Sequence, residues 1–331
     1  MSKIISVSRR TDIPAFYGEW FMDRLRQGFA GWENPFGGQK YLVSLKPGDV
    51  LALAFWSKNY RPFLEPLRDV KKRGYRCIFN YTITGLPNHF ECNLVETDDA
   101  IDSFIEISRM FSPEHIGWRY DPIVVSDVTG SRFHLEKFEY IASRLAKYTK
   151  RCFLSYAITY GKVARNFKKF TDDTGIGFYD PTEMEKIKLA NMFSDIARKY
   201  GIQVYTCCGD YLINDKIFKA HCLDGDLISD LYFEGNWKGQ EKPTRKECGC
   251  TVSTDIGKYD TCPHGCIYCY ANVNKERAVT VNAAHDSQSI FLGYSKVESE
   301  TFASDLSISV EKPKKVKTKD VLPCLPGLES F

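Results

Sequence analysis

The sequence predicts an α/β fold, a parallel β/α partial barrel of about six strands that ends in a cysteine-rich, cluster-binding extension. Three observations predict it. Short β-branched and aromatic runs alternate with longer amphipathic stretches about six times, the pattern of β-α units around a parallel sheet. The short runs carry few internal charges, as expected of strands covered on both faces. Beyond about residue 230 the alternation stops, and Cys248, Cys250, Cys262, Cys266 and Cys269 crowd into one stretch.

The strands are expected at Ile4–Ser8, Val50–Trp56, Arg76–Thr82, His115–Tyr120, Arg151–Tyr156 and Gln203–Cys207. The helices between them are expected near Tyr17–Gly28, Arg61–Arg73, Asp98–Phe111, His134–Tyr148 and Pro181–Tyr200. Ile101, Phe104, Ile105 and Ile107 follow a helical period, as do Leu135, Phe138, Ile141 and Leu145. Gly28, Gly74 and Gly201 stand where three of the helices should stop. A barrel-like domain over 1–234 is then followed by a cluster-binding segment, 235–294, packed on the barrel mouth, and a flexible tail, 295–331. The basic run Lys312–Lys319 reads as a solvated part of that tail.

Composition sets the class. The chain has 331 residues, 43 % hydrophobic and 26 % charged, which fits a folded globular protein and excludes a collagen-like or wholly disordered one. Its 45 basic and 42 acidic side chains leave a net charge of +3, too little to argue for nucleic acid. No apolar run is long enough to span a membrane, and the N-terminus lacks a cleavage signature, so a cytoplasmic protein with no membrane partner is expected. In that compartment 12 cysteines point to metal or redox chemistry rather than to disulfides. Serine-hydrolase, P-loop and zincin signatures are missing from the sequence.

Cys262-Pro-His-Gly-Cys266-Ile-Tyr-Cys269 is a CxxxCxxC. Three thiolates on one loop suit a [4Fe-4S] cluster with one iron left open, where four would close it. A zinc site is the alternative, with His264, Cys248 or Cys250 as fourth ligand, although His264 lies inside the first loop. Cys208, Cys222, Cys248 and Cys250 form a second candidate group for a fully ligated [4Fe-4S] cluster. Cys207 and Cys222 have the competing reading of small core hydrophobes. Cys77 and Cys152 fall in strands, and Cys92 and Cys324 in loop and tail.

The triad spacing resembles that of the radical S-adenosylmethionine (SAM) enzymes, as does Tyr268, the aromatic before the third cysteine. SRRTDIPAFY at 8–17, FWSKN at 55–59, WRYDPI at 118–123 and CGCTVSTDIGKYDTCPHGCIYCYAN at 248–272 further resemble the family called domain of unknown function 1848, over about residues 3–294. The resemblance implies a radical SAM enzyme. Its open iron would hold the amino and carboxylate groups of SAM, and an electron from the cluster would yield a 5′-deoxyadenosyl radical that acts on a substrate the resemblance does not name. It also implies an electron donor of the flavodoxin or ferredoxin type. The triad stands at the C-terminal end of the domain, where ordinary radical SAM enzymes carry theirs in the first β-α loop, so SAM-contacting motifs do not transfer by position.

Such a site needs polar partners, and the strand ends supply candidates. Arg9, Arg10, Lys58 and Arg119 suit the methionyl carboxylate, Asp12 and Asp121 the amine or ribose hydroxyls. Thr82, Thr84 and Ser155 offer neutral contacts, and Trp56, Tyr81 and Tyr120 flat surfaces. Arg9, Asp12, Lys58, Arg119 and Asp121 are the expected catalytic set. Arg10, Trp56, Thr82, Thr84, Ser155 and Tyr268 are the expected cofactor contacts. The structural alternative is an Arg119–Asp121 or Arg9–Asp12 ion pair that ties strand ends together. A second class of function stays open beside the enzyme: a non-catalytic module stapled by zinc or a closed cluster, for instance one that binds nucleic acid.

Overall fold

Eight parallel strands form one sheet in the computed structural model, which describes residues 2–242, 247–303 and 309–310. In chain order the elements are β1 (Lys3–Val7), α1 (Ile13–Phe16), α2 (Gly18–Gln27), β2 (Phe29–Glu33), β3 (Lys40–Ser44), β4 (Val50–Ser57), α3 (Leu64–Lys72), β5 (Cys77–Thr82) and α4 (Thr97–Met110). Then follow β6 (Ile116–Ile123), β7 (Val125–Ser126), α5 (Ser131–Leu145), β8 (Arg151–Tyr156), α6 (Gly161–Thr174), β9 (Phe178–Tyr179), α7 (Glu183–Lys199) and β10 (Gln203–Thr206). The last are β11 (Ile217–Lys219), α8 (Gly225–Phe233), β12 (Thr254–Asp255), α9 (Lys275–Ala284), α10 (Lys296–Ala303) and β13 (Ser309–Val310). The large sheet has the order β11-β10-β8-β6-β5-β4-β1-β12, while β2 and β3 pair as a hairpin that β13 extends.

The six expected strands are the centre of this sheet. Two short ones extend it to eight: β11 beside β10, and β12 beside β1. The expected number of about six is thus low by two strands too short to show a periodic pattern. Among the described residues no ladder joins β11 to β12.

Alternation along the strands separates two cores. Leu53 and Phe55 of β4, with Phe79 of β5, enter a large cluster shared with the buried faces of α2, α4, α5 and α7. Ala52 and Ala54 of β4 and Ile78 of β5 enter a smaller cluster that holds Cys207, Cys248 and Cys250, with Cys208 and Cys222 packed against it. The upstream cysteines therefore collect among the small side chains of the sheet. Gly28, Gly74 and Gly201 adopt φ of 80°, 79° and 70°, so the helix stops read from the sequence lie at left-handed glycines.

The expected cluster-binding segment 235–294 contributes β12 to the main sheet, and the expected flexible tail opens as helix α10. The basic run Lys312–Lys319 and Cys324 lie outside the described residues.

A candidate metal site at the carboxyl ends of the strands

Parallel strands deliver their following loops to one edge, and here that edge receives the cysteine segment. Asp255 in β12 lies buried between the first loop and the segment. Its carboxylate accepts from Ser6 Oγ at 2.7 Å, from the backbone N–H of Arg9 at 2.9 Å and from that of Gly257 at 3.0 Å. Burial alone would push its pKa up, but Arg10 and Arg9 outweigh that and hold it below the ordinary value. Arg9 also lies over Trp56, 5.7 Å from the ring centroid, and its carbonyl accepts from Tyr270 Oη at 2.8 Å. Arg10 reaches the carbonyls of Glu33 and Gly257 at 3.3 and 3.4 Å and so ties the hairpin to the segment.

The CxxxCxxC loop docks on residues from four earlier loops and helices. His264 Nε2 lies 2.7 Å from Asp12 Oδ2, and Tyr17 Oη donates to the Thr261 carbonyl at 2.6 Å. Asn93 Nδ2 donates to the Pro263 carbonyl at 2.7 Å, and Asn166 Nδ2 to the Ile267 carbonyl at 3.1 Å. Asp12 is spent within the protein: it caps α1 through Ala15 N–H, accepts from Ser57 Oγ at 2.7 Å and takes the Lys58 N–H at 2.8 Å. His264 faces oxygen acceptors with both ring nitrogens, Asp12 and the Asn93 carbonyl, so the ring is committed to docking the loop and not to a metal.

Beside the triad lies a buried charge network. Lys58 Nζ pairs with Glu91 Oε1 at 2.7 Å, Thr84 Oγ1 donates to Glu91 Oε2 at 3.0 Å, and Tyr268 Oη donates to Glu91 Oε1. Burial works against the Lys58 charge, yet Glu91 and the neighbouring Cys266 hold its pKa above the ordinary value. Burial likewise pushes Cys266 up to about 12, against the pull of Lys58. Cys262 and Cys269 are also raised by burial; Cys269 is opposed by the backbone N–H groups of Ala271 and Asn272 and by Lys162 and Lys275. These thiols must shed protons before any metal binds them.

A second group is tighter. The sulfurs of Cys207, Cys222 and Cys250 all lie within 4.8 Å of one another, which the triad sulfurs do not. Cys207, on the residue after β10, takes the place expected of Cys208, and the Cys248 sulfur stays outside the group although it is buried in the same cluster. The turn at Gly209, with φ of 99°, follows the pair directly. Thr251 N–H bonds the Leu223 carbonyl at 3.0 Å, which sets Cys250 beside Cys222. Arg119 Nη1 donates to Cys222 Sγ at 3.3 Å and pairs with Asp121, which in turn accepts from Ser155. The thiols of Cys207 and Cys250 hydrogen-bond Cys222 and, with Arg119, hold its pKa well below that of a free thiol.

The expected site residues therefore separate into two sets. Lys58, Thr84 and Tyr268 join the triad through Glu91, and Arg119, Asp121 and Ser155 join the Cys222 group. Arg119–Asp121 forms as the expected ion pair, whereas Arg9 pairs with Asp255, not Asp12. Thr82 ends β5 in register with Arg119. Sequence reasoning missed Glu91 and Asp255. The second stood in the quoted STDIG run, but its burial beside Arg9 and Arg10 is visible only once the chain is folded.

Comparison with known proteins supplies a family and little else. A solved structure titled a crystal structure of D-hydantoinase aligns at 9 % identity and a TM-score of 0.28 over 61 % of this chain, and the chain spans 40 % of that protein's length. No curated protein matches the chain. The family model described as "Domain of unknown function (DUF1848)" matches residues 4–271, from β1 through the last triad cysteine to Ala271, and the chain belongs to that family.

Proposed function

We propose that the chain is a radical SAM enzyme whose Cys262, Cys266 and Cys269 hold a [4Fe-4S] cluster with one iron open. The observation that carries this reading is the docking of the CxxxCxxC loop on Asp12, Asn93 and Asn166 at the carboxyl edge of a parallel sheet. The donor set fits the group: three thiols on one loop, spread more widely than the 4.8 Å of the Cys222 group, as ligands to separate irons must be. When bound, the cluster and SAM supply reductive cleavage of a sulfonium bond and a 5′-deoxyadenosyl radical.

The chain's own residues bind, orient and shield. Lys162 and Lys275 offset the charge that thiolates bring to a buried loop. Tyr268, fixed by Glu91, and Phe16, with its ring 4.6 Å from that of His264, exclude water from the loop. Lys58 is held by Glu91 and Arg9 by Asp255, but the Arg9 side chain stays partly exposed beside Tyr270, so it is the better placed of the two to meet a carboxylate. In this reading the open-edged sheet is a partial barrel, the protein works in the cytoplasm, and a flavodoxin- or ferredoxin-type donor supplies the electron.

Anaerobic protein, reduced with dithionite in the presence of SAM, should form 5′-deoxyadenosine and carry about four irons on the triad. Cys262→Ala, Cys266→Ala and Cys269→Ala should each abolish the product. Wild-type product from any of the three, or a colourless protein that takes up zinc alone, would overturn the reading.

A further inference from the structure

We propose that Cys207, Cys222 and Cys250 bind a single tetrahedral metal ion of the zinc class, and that the His221 imidazole, whose nitrogens stand outside the 4.8 Å group of sulfurs, swings in as fourth ligand when the ion binds. The inference does not rest on the radical SAM reading, since it uses none of the triad residues. Spacing is the first argument. With zinc–sulfur bonds of about 2.3 Å, tetrahedral geometry sets the sulfurs about 3.8 Å apart. The three sulfurs here lie within 4.8 Å of one another before any ion draws them in. A [4Fe-4S] cluster spreads its thiolates over separate irons and needs more room, so the compact group favours one ion over the second cluster that the cysteine count suggests.

The surroundings supply the second argument. An apolar packing role for Cys222 does not account for Arg119, whose guanidinium donates to Cys222 Sγ at 3.3 Å. A cation aimed at sulfur in a buried cluster suits a thiolate. The third argument is His221. Its Nδ1 is buried and has no hydrogen-bond partner. Its ring presses on the Cys248-Gly249-Cys250 turn: a Cβ on Gly249 would lie 2.2 Å from His221 Cε1 and 2.7 Å from Nδ1. A buried nitrogen without a partner is destabilising, and a bond to metal would remove that penalty. The donors come from the loops after β10 and β11 and from the C-terminal segment, so the ion would cross-link three distant parts of the chain.

The test uses the full chain lacking the triad, Cys262→Ala/Cys266→Ala/Cys269→Ala, so that metal on the triad does not enter the count. Elemental analysis of this variant should find about one zinc per chain. Adding Cys222→Ala or Cys250→Ala should remove it, and His221→Ala should weaken zinc binding at least tenfold in competition with a chelating dye. In case the triad-lacking chain fails to fold, the thiolate-to-cobalt absorption and tetrahedral d–d bands of chelator-stripped wild-type protein titrated with cobalt(II) should fall by about one cobalt per chain in Cys222→Ala, whose triad is intact. A triad-free variant with about four irons, or with neither zinc nor iron, would overturn the single-ion site. Undiminished zinc affinity in His221→Ala would overturn its fourth ligand.

Discussion

His264 Nε2 lies 2.7 Å from Asp12 Oδ2, which joins the ring between the first two triad cysteines to the N-cap of α1, 252 positions earlier in the chain. One carboxylate thus closes a helix, orders the loop after β4 and holds the cysteine loop down.

Asp12→Ala should be costly for this reason. It removes an N-cap worth about 1 kcal/mol and leaves buried donors from Ser57, Lys58 and His264 short of a partner, for a total loss of roughly 2–4 kcal/mol. Urea denaturation should show it, together with lower iron retention on the triad. Asp12→Asn, which keeps one accepting oxygen for the cap, should lose less than half as much. Equal stability of Asp12→Ala and wild type would remove the docking role.

Glu91→Leu should strand the Lys58 ammonium in a buried site. Breaking one half of a buried ion pair costs about 3–5 kcal/mol, far more than the pair contributes over an apolar replacement. The double variant Lys58→Met/Glu91→Leu should recover most of that loss. A double-mutant cycle from chemical denaturation reads the coupling, and additive effects would show that the 2.7 Å contact carries no energy.

The protein should lose stability in mild acid through His134. The ring is buried and neutral: Nε2–H donates to the Val124 carbonyl at 2.9 Å, and Nδ1 accepts from Tyr120 Oη at 2.8 Å. Burial lowers its pKa from 6.5 to about 4. Between those values the unfolded chain binds a proton that the folded chain refuses, so stability is complete above pH 6.5 and falls as pH drops toward 4. The slope is at most about 1.4 kcal/mol per pH unit. Melting curves of His134→Gln should lack that part of the decline, and parallel pH profiles for variant and wild type would contradict it.

Gly257→Ala should disrupt the join between β12 and the first loop. A Cβ there would sit 2.1 Å from Ser8 Oγ and 2.6 Å from Ser8 Cβ, a clash that only movement of Ser8 or of the segment relieves. A loss of about 1–3 kcal/mol is expected, read as a lower melting temperature by circular dichroism. Gly48→Ala, where a Cβ would meet nothing within 4 Å, serves as the neutral control.

Much of the sheet was legible because its central strands are apolar runs between polar ends, as in VLALAFWS of β4. Helix α6 was not. Its sequence, GKVARNFKKFTDDT, spaces Val163, Phe167 and Phe170 as a helix does, but only Val163 is fully buried and the stripe is just three residues wide. β11 and β12, of three and two residues, gain their identity from a neighbour and not from a pattern of their own. The CxxxCxxC motif was legible because its three cysteines are close in sequence. Glu91 was not, since its partners Lys58, Thr84 and Tyr268 come from three other segments. The choice of Cys207 over Cys208 rests on which of two adjacent side chains meets sulfurs from two other segments, which composition does not encode.

The place of β12 beside β1 also bears on how the chain is made. Ser6 leaves the ribosome 249 residues ahead of Asp255, the carboxylate that its hydroxyl meets. Throughout that interval one edge of the first strand faces the cell without its neighbour, and the arginines after it wait for their counter-charge. An open parallel edge invites pairing with other chains. The nascent protein therefore depends on a segment made much later to seal β1, and the cysteine loop that follows is positioned in the same event.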